Sequence, residues 1–123
     1  MNAKINVSTF TYARTNTKVK LYDKEYELPV RTSAFCDKQD IIDREIADTS
    51  NIKVTADLVN ILRRGIALFI GSDEAERLFP TEGQEENIDI DEIMSCYTFL
   101  KHESLSNLKA HNEKYAPRSI IRR

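Results

Sequence analysis

The order of apolar and polar positions changes character partway along the chain. From residue 17 it alternates: Thr17-Lys18-Val19-Lys20-Leu21-Tyr22, then Glu25-Tyr26-Glu27-Leu28-Pro29-Val30. Period two over short runs is the mark of a half-buried strand, and the two runs are separated by Asp23-Lys24, a hairpin-length link. Val19 and Leu21 share one face, and Tyr26 and Leu28 share another. Pro29 suits an edge strand because it cannot donate to a ladder. An upstream run, Ile5 to Tyr12, is a candidate third strand. A lone hairpin is marginal in water, so this one needs helices or another chain to pack on.

From Asp37 the spacing becomes three and four. Asp37–Ala47 predicts a short helix with Ile41, Ile42 and Ile46 on one side. Thr55 is placed as the N-cap of a longer helix reaching Ile70, with Leu58, Val59, Ile61, Leu62, Ile66, Leu68, Phe69 and Ile70 as a wide apolar stripe. Gly71 stands where a left-handed C-cap is expected. A brief helix, Asp73–Phe79, is stopped by Pro80. Residues 81–87 read as an exposed loop holding Gly83. Asp89 followed by Glu92 resembles a capping box, opening a last helix through Ile90, Ile93, Met94, Tyr97, Leu100 or Lys101, Leu105 and Leu108 to about residue 114. Pro117 ends it, and residues 115–123 are expected to form a flexible basic tail. The fold class predicted is mainly α (α+β), an N-terminal hairpin followed by about four helices in a single domain spanning 1–123.

Composition narrows the chemistry. The 123 residues include 3 Gly, and Gly65, Gly71 and Gly83 are too far apart for a phosphate-cradling loop. Lys+Arg 18 against Asp+Glu 20 leaves a net charge of −2, with no general attraction to nucleic acid or anionic membrane. No apolar run approaches the ~18 residues of a membrane span, and the N-terminus lacks the apolar core of a signal peptide. Cys36 and Cys96 read as buried free thiols of a cytoplasmic protein.

Each candidate site for chemistry also has a plain structural reading. Residues 73–92 hold nine acids and one base, Arg77. A calcium loop starting at Asp89 would put Ile93 and Met94 where an oxygen ligand and a glycine belong, so the acids are read as a solvated loop and two helix N-termini. His102 and His111 lie ~13 Å apart along one helix and cannot share a metal. No G-x-S-x-G, H-E-x-x-H or C-x-x-C is present, so no enzyme, cofactor or metal is expected. A helix-turn-helix around Gly71-Ser72 would make Asp73–Phe79 the recognition helix, and its three acids would be repelled by phosphate. Phe69, Leu78, Phe79, Tyr97 and Phe99 are read as mostly core. What remains is a scaffold that works by contact, through a hairpin edge or a helix groove.

Two stretches carry a resemblance. Leu68-Phe69-Ile70-Gly71-Ser72-Asp73-Glu74-Ala75-Glu76-Arg77-Leu78-Phe79-Pro80 is followed, after an acidic gap, by Ile88-Asp-Ile-Asp-Glu-Ile-Met-Ser-Cys-Tyr-Thr-Phe-Leu100. Over about residues 55–105 this resembles the tail assembly chaperones of long-tailed bacteriophages and prophages. The resemblance implies a non-enzymatic protein of the host cytoplasm, absent from the finished virion. It would coat the tape-measure protein and recruit tail-tube subunits, and it would self-associate or present a groove. A frameshifted longer product is common in that family. The interaction residues expected are Leu21, Tyr22 and Tyr26 in the hairpin and Phe69, Leu78 and Phe79 in the helices. The alternatives are a small DNA-binding regulator of phage or bacterial origin and a structural tail completion protein.

Overall fold

The computed structural model of the chain describes residues 7–12, 16–48, 55–80 and 87–115, with side chains described to Leu105. The expected architecture is present: an antiparallel hairpin, β1 (Lys18–Leu21) and β2 (Lys24–Glu27), followed by α1 (Ser33–Ala47), α2 (Thr55–Ile70), α3 (Ser72–Leu78) and α4 (Ile90–Tyr115). The protein is mainly α with a small β part. The candidate loop with Gly83 and the tail beyond Tyr115 lie outside the described residues, as do Ile5 and the residues just before Thr55.

The hairpin differs from the expectation by one residue in its turn. Leu21 pairs with Lys24, so the two linking residues are Tyr22-Asp23 rather than Asp23-Lys24. Tyr22 supplies the positive φ (61°) that a tight hairpin turn needs at its first central position. Val19 and Leu21 lie on the same side as Tyr26 and Leu28, all four buried, because cross-strand partners share a face. The outer face carries Lys18 opposite Glu27 and Lys20 opposite Glu25. Val7–Tyr12 is not a strand. Val7 and Phe10 are 80% and 86% exposed.

α1 begins four residues before Asp37. Thr32 accepts a hydrogen bond from the Phe35 amide (3.1 Å), which satisfies one of the helix's open N–H groups and fixes the start at Ser33. Its inner face is Phe35, Gln39 and Ile42, with Ile46 half-buried, while Ile41 is 54% exposed. Gln39 occupies a core-facing position by accepting from Arg31 (3.3 Å). A satisfied amide can be buried at modest cost.

The stripe on α2 is buried at Val59, Ile61, Leu62, Ile66 and Phe69, with Leu58, Leu68 and Ile70 half-buried. α2 packs against α1, α3 and α4. Phe69 sits edge-on between Phe35 (5.2 Å between centroids) and Tyr97 (6.3 Å). Gly65 has a packing role: a Cβ there would stand 2.6 Å from the Tyr97 ring, so the missing side chain is what lets α4 approach.

Gly71 ends α2 and starts α3 in one step. Its N–H bonds to Ala67 O (2.8 Å), and its own carbonyl accepts from Ala75 (3.0 Å). Its φ of 93° is positive, as the C-cap reading requires. Its ψ of 155° places it in an extended region open essentially to glycine alone, not in the left-handed helical well. α3 then runs Ser72–Leu78, and Phe79 turns its buried ring into the core.

α4 opens as expected on Asp89, whose carboxylate accepts from the amides of Asp91 (2.9 Å) and Glu92 (3.2 Å). The reciprocal half of the capping box is absent, because the Glu92 carboxylate accepts from the Tyr22 hydroxyl of the hairpin. The buried seam is Ile93, Cys96, Tyr97, Leu100 and Ser104. Leu105, expected inside, is 46% exposed, and Leu108's side chain lies outside the described residues.

Candidate functional site

Two polar clusters fix the hairpin on the helices. In the first, Glu74 of α3 is the acceptor for three groups. Tyr26 donates its hydroxyl to Glu74 Oε1 (2.6 Å), Lys24 Nζ lies at 3.0 Å, and Arg77 Nε at 3.1 Å. Arg77 also donates to the Tyr26 hydroxyl (2.9 Å), so that oxygen both donates and accepts. The hydrogen bond from Tyr26, followed by that from Lys24, holds the Glu74 carboxyl down at about 2. Arg77 is held still more basic than usual, chiefly by its bond to Tyr26. Here β2 is tied to α3.

The second cluster ties the turn to α4 through Tyr22 and Glu92. Partial burial, then the hydrogen bond to a carboxylate, pushes the Tyr22 phenol up to about 12. Behind it, burial raises the Cys96 thiol to about 11, which keeps it protonated and unreactive at neutral pH.

Between β1 and α4 lies an open groove of about 340 Å³, lined by Lys20, Leu21, Tyr22, Glu92, Ser95, Cys96 and Phe99. Its floor is Leu21 and Cys96, both buried. Its apolar rim is Tyr22 and Phe99, 56% and 41% exposed, with Lys20 and Glu92 as the charges at its edge. Among the described residues β1 pairs with β2 alone. The bond from Leu28 N to Thr17 O (2.8 Å) sets the ladder's alternation, in which bonded pairs recur at every second residue. Val19 and Leu21 therefore bond to β2, and the N–H and C=O groups of Lys18 and Lys20 point away from it.

The structure separates the six expected interaction residues. Leu21 and Tyr22 meet in the groove. Tyr26 is buried and serves the Glu74 cluster. Phe69 and Phe79, each 3% exposed, are core, and Leu78 is half-buried against it. Phe99, expected in the core, is at the groove rim instead, because the α4 seam follows Cys96 and Leu100 on either side of it. Phe99, Cys96 and Glu92 were missed as groove residues. The one available signal was that Phe99 falls outside the three-and-four spacing of Ile93, Tyr97 and Leu100. Among the described residues no group of three or more His, Cys, Asp or Glu side chains is placed to hold a metal, and no helix is long and apolar enough to cross a membrane. Cys36 and Cys96 are both free, Cys36 only half-buried.

Comparison with protein-family models finds no match, and comparisons with curated proteins and with solved structures find none either.

Proposed function

We propose that this protein is a non-enzymatic tail assembly chaperone of a long-tailed phage or prophage, acting in the host cytoplasm. It holds the tape-measure protein in soluble form and recruits tail-tube subunits. The observation that carries a contact role is the groove. An apolar floor, two exposed aromatics and a strand edge unpaired among the described residues together form a surface suited to an extended or helical apolar segment. The resemblance over residues 55–105 supplies the identity of the client.

The test is co-expression with segments of the tape-measure protein, scored by soluble yield and co-purification. Tyr22→Asn keeps a residue tolerant of positive φ at the turn while removing the ring. Phe99→Ser changes an exposed position, where substitutions are usually within about 0.5 kcal/mol of neutral. The wild-type chain should retain the segment, and the double variant should lose it with an unchanged circular dichroism spectrum. A wild-type chain that retains no segment refutes the reading. Duplex DNA binding with a steep salt dependence would favour a regulator instead.

A further inference from the structure

We propose that Tyr22 is a latch: its hydroxyl on Glu92 holds the hairpin turn against α4 over Cys96, and release of that one contact opens the groove while the helices stay folded. Three observations lead to this. The first is a backbone held against its preference. Among the described residues Tyr22 alone, apart from glycine, has a positive φ (61°). Asp23 does not share it, so the positive angle falls at the first central residue of the turn, the type II′ pattern in which glycine is the usual occupant. A bulky residue keeps such a conformation only where its surroundings enforce it, and residues of this kind gather at switches. Here the polar contact that enforces it is the hydrogen bond to Glu92, 70 residues away in the chain.

The second observation is what the latch covers. Glu92, Cys96 and Phe99 recur at four- and three-residue steps on one stripe of α4, and Tyr22 stands across the groove from them. The three groups are close: Cys96 bears on the Tyr22 phenol, and Glu92 bears on the Cys96 thiol. Cys96 and Leu21, the floor, are buried, whereas the Tyr22 side chain is more than half exposed. The floor is therefore shut in by a residue that is itself largely in water and is held at its tip by one hydrogen bond.

The third observation is that the rest of the fold is fastened elsewhere. Glu74 ties β2 to α3 through Tyr26 and Lys24, and Val19, Tyr26 and Leu28 are buried independently of the turn. α4 packs on α2, with Tyr97 against Gly65. Swinging the Tyr22 side chain off Glu92 breaks none of these contacts. With the latch closed the groove shows little of its floor, so anything that docks on the floor meets the open form, and its apparent affinity is reduced by the open fraction. The latch bears on the contact role proposed above and does not depend on it.

The experiment uses the full chain with Cys36→Ala, so that native Cys96 is the reporter thiol, and an aromatic disulfide reagent at mildly alkaline pH. The Cys96 thiolate attacks one reagent sulfur, the reagent's S–S bond breaks, and the aryl thiolate released is read by absorbance. Labelling should be slow, and its rate should stay nearly flat in urea below the unfolding transition, because opening the latch exposes little new surface. Tyr22→Phe keeps the ring and loses the bond, and should speed labelling about two- to tenfold, the worth of one hydrogen bond. Tyr22→Gly suits the turn and removes the cover, and should speed it further with an unchanged circular dichroism spectrum. Tyr26→Phe cuts a bond to Glu74 and leaves the latch intact, so its rate should equal that of the parent chain. A rate that climbs with urea along the global unfolding slope, or that rises equally in Tyr22→Phe and Tyr26→Phe, would show that Cys96 is reached only by unfolding and would overturn the latch. An unchanged rate in Tyr22→Phe or Tyr22→Gly would overturn it too.

Discussion

Gly65→Ala tests the packing of the core most directly. Alanine in place of glycine within a helix normally stabilises by about 0.5–1 kcal/mol. Here the new Cβ would stand 2.6, 2.9 and 3.0 Å from Cε1, Cδ1 and Cζ of Tyr97, inside van der Waals contact. The ring has little room to retreat. It is 1% exposed, has Phe69 beside it, and its hydroxyl donates to Asp43 at 2.8 Å. Overpacking of this kind costs about 1–3 kcal/mol. Swinging the ring aside would also forfeit a hydrogen bond to a charged acceptor, about 1.5–3 kcal/mol. With the helix gain subtracted, Gly65→Ala should destabilise by up to about 2.5 kcal/mol, and by more if the Asp43 bond is also lost. Urea denaturation should show a lower midpoint at unchanged slope. A double-mutant cycle with Tyr97→Leu assigns the cause: without the ring, the same alanine should become neutral or stabilising. A Gly65→Ala chain more stable than wild type would refute this account of how α2 and α4 approach.

Three further perturbations isolate other features. Gly71→Ala meets no atom within 4 Å, so its cost is backbone strain alone, about 1–3 kcal/mol by urea denaturation; Gly71→Ala at no cost would contradict the extended positive-φ joint. Glu74 has its folded carboxyl lowered to about 2 from 4.5, so its contribution is full above pH 4.5 and is lost as pH falls toward about 2. Glu74→Gln should flatten the stability profile in that window, and identical acid limbs in both chains would count against the Tyr26–Glu74–Arg77 cluster. Burial, then the bond to Asp43, raises the Tyr97 phenol, so its contribution is full below pH 10.0 and declines as pH rises beyond it. Tyr97→Phe should cost about 1.5–3 kcal/mol at neutral pH and lose that alkaline decline, read from denaturant midpoints across a pH series.

The elements were legible where periodicity is local. The α2 stripe ends at Ile70 with Gly71 after it, and Asp89 marks the opening of α4, as the spacing predicts. The errors fall where a side chain's partner is distant in sequence. Ile41 looks more apolar than Gln39, yet Gln39 turns inward because Arg31 satisfies it. The start of α1 depends on Thr32, a cap hidden in a segment without helical periodicity. Nothing local shows that Glu92 bonds to Tyr22, 70 residues away, rather than closing its own capping box. Half of the groove was visible, since Leu21 and Tyr22 stand out on the hairpin. The α4 half was not, because Phe99 looks like core until the register of the helix is known.

The arrangement of the helices also bears on how the molecule opens. α1, α3 and α4 each rest on α2, and α2 carries Val59, Leu62 and Ile66 at 0% exposure. Removing any outer helix uncovers one side of α2, whereas loss of α2 leaves the others without their common support. Native-state hydrogen exchange should therefore be slowest at the amides of α2 around Leu62–Ile66, opening only with the whole molecule.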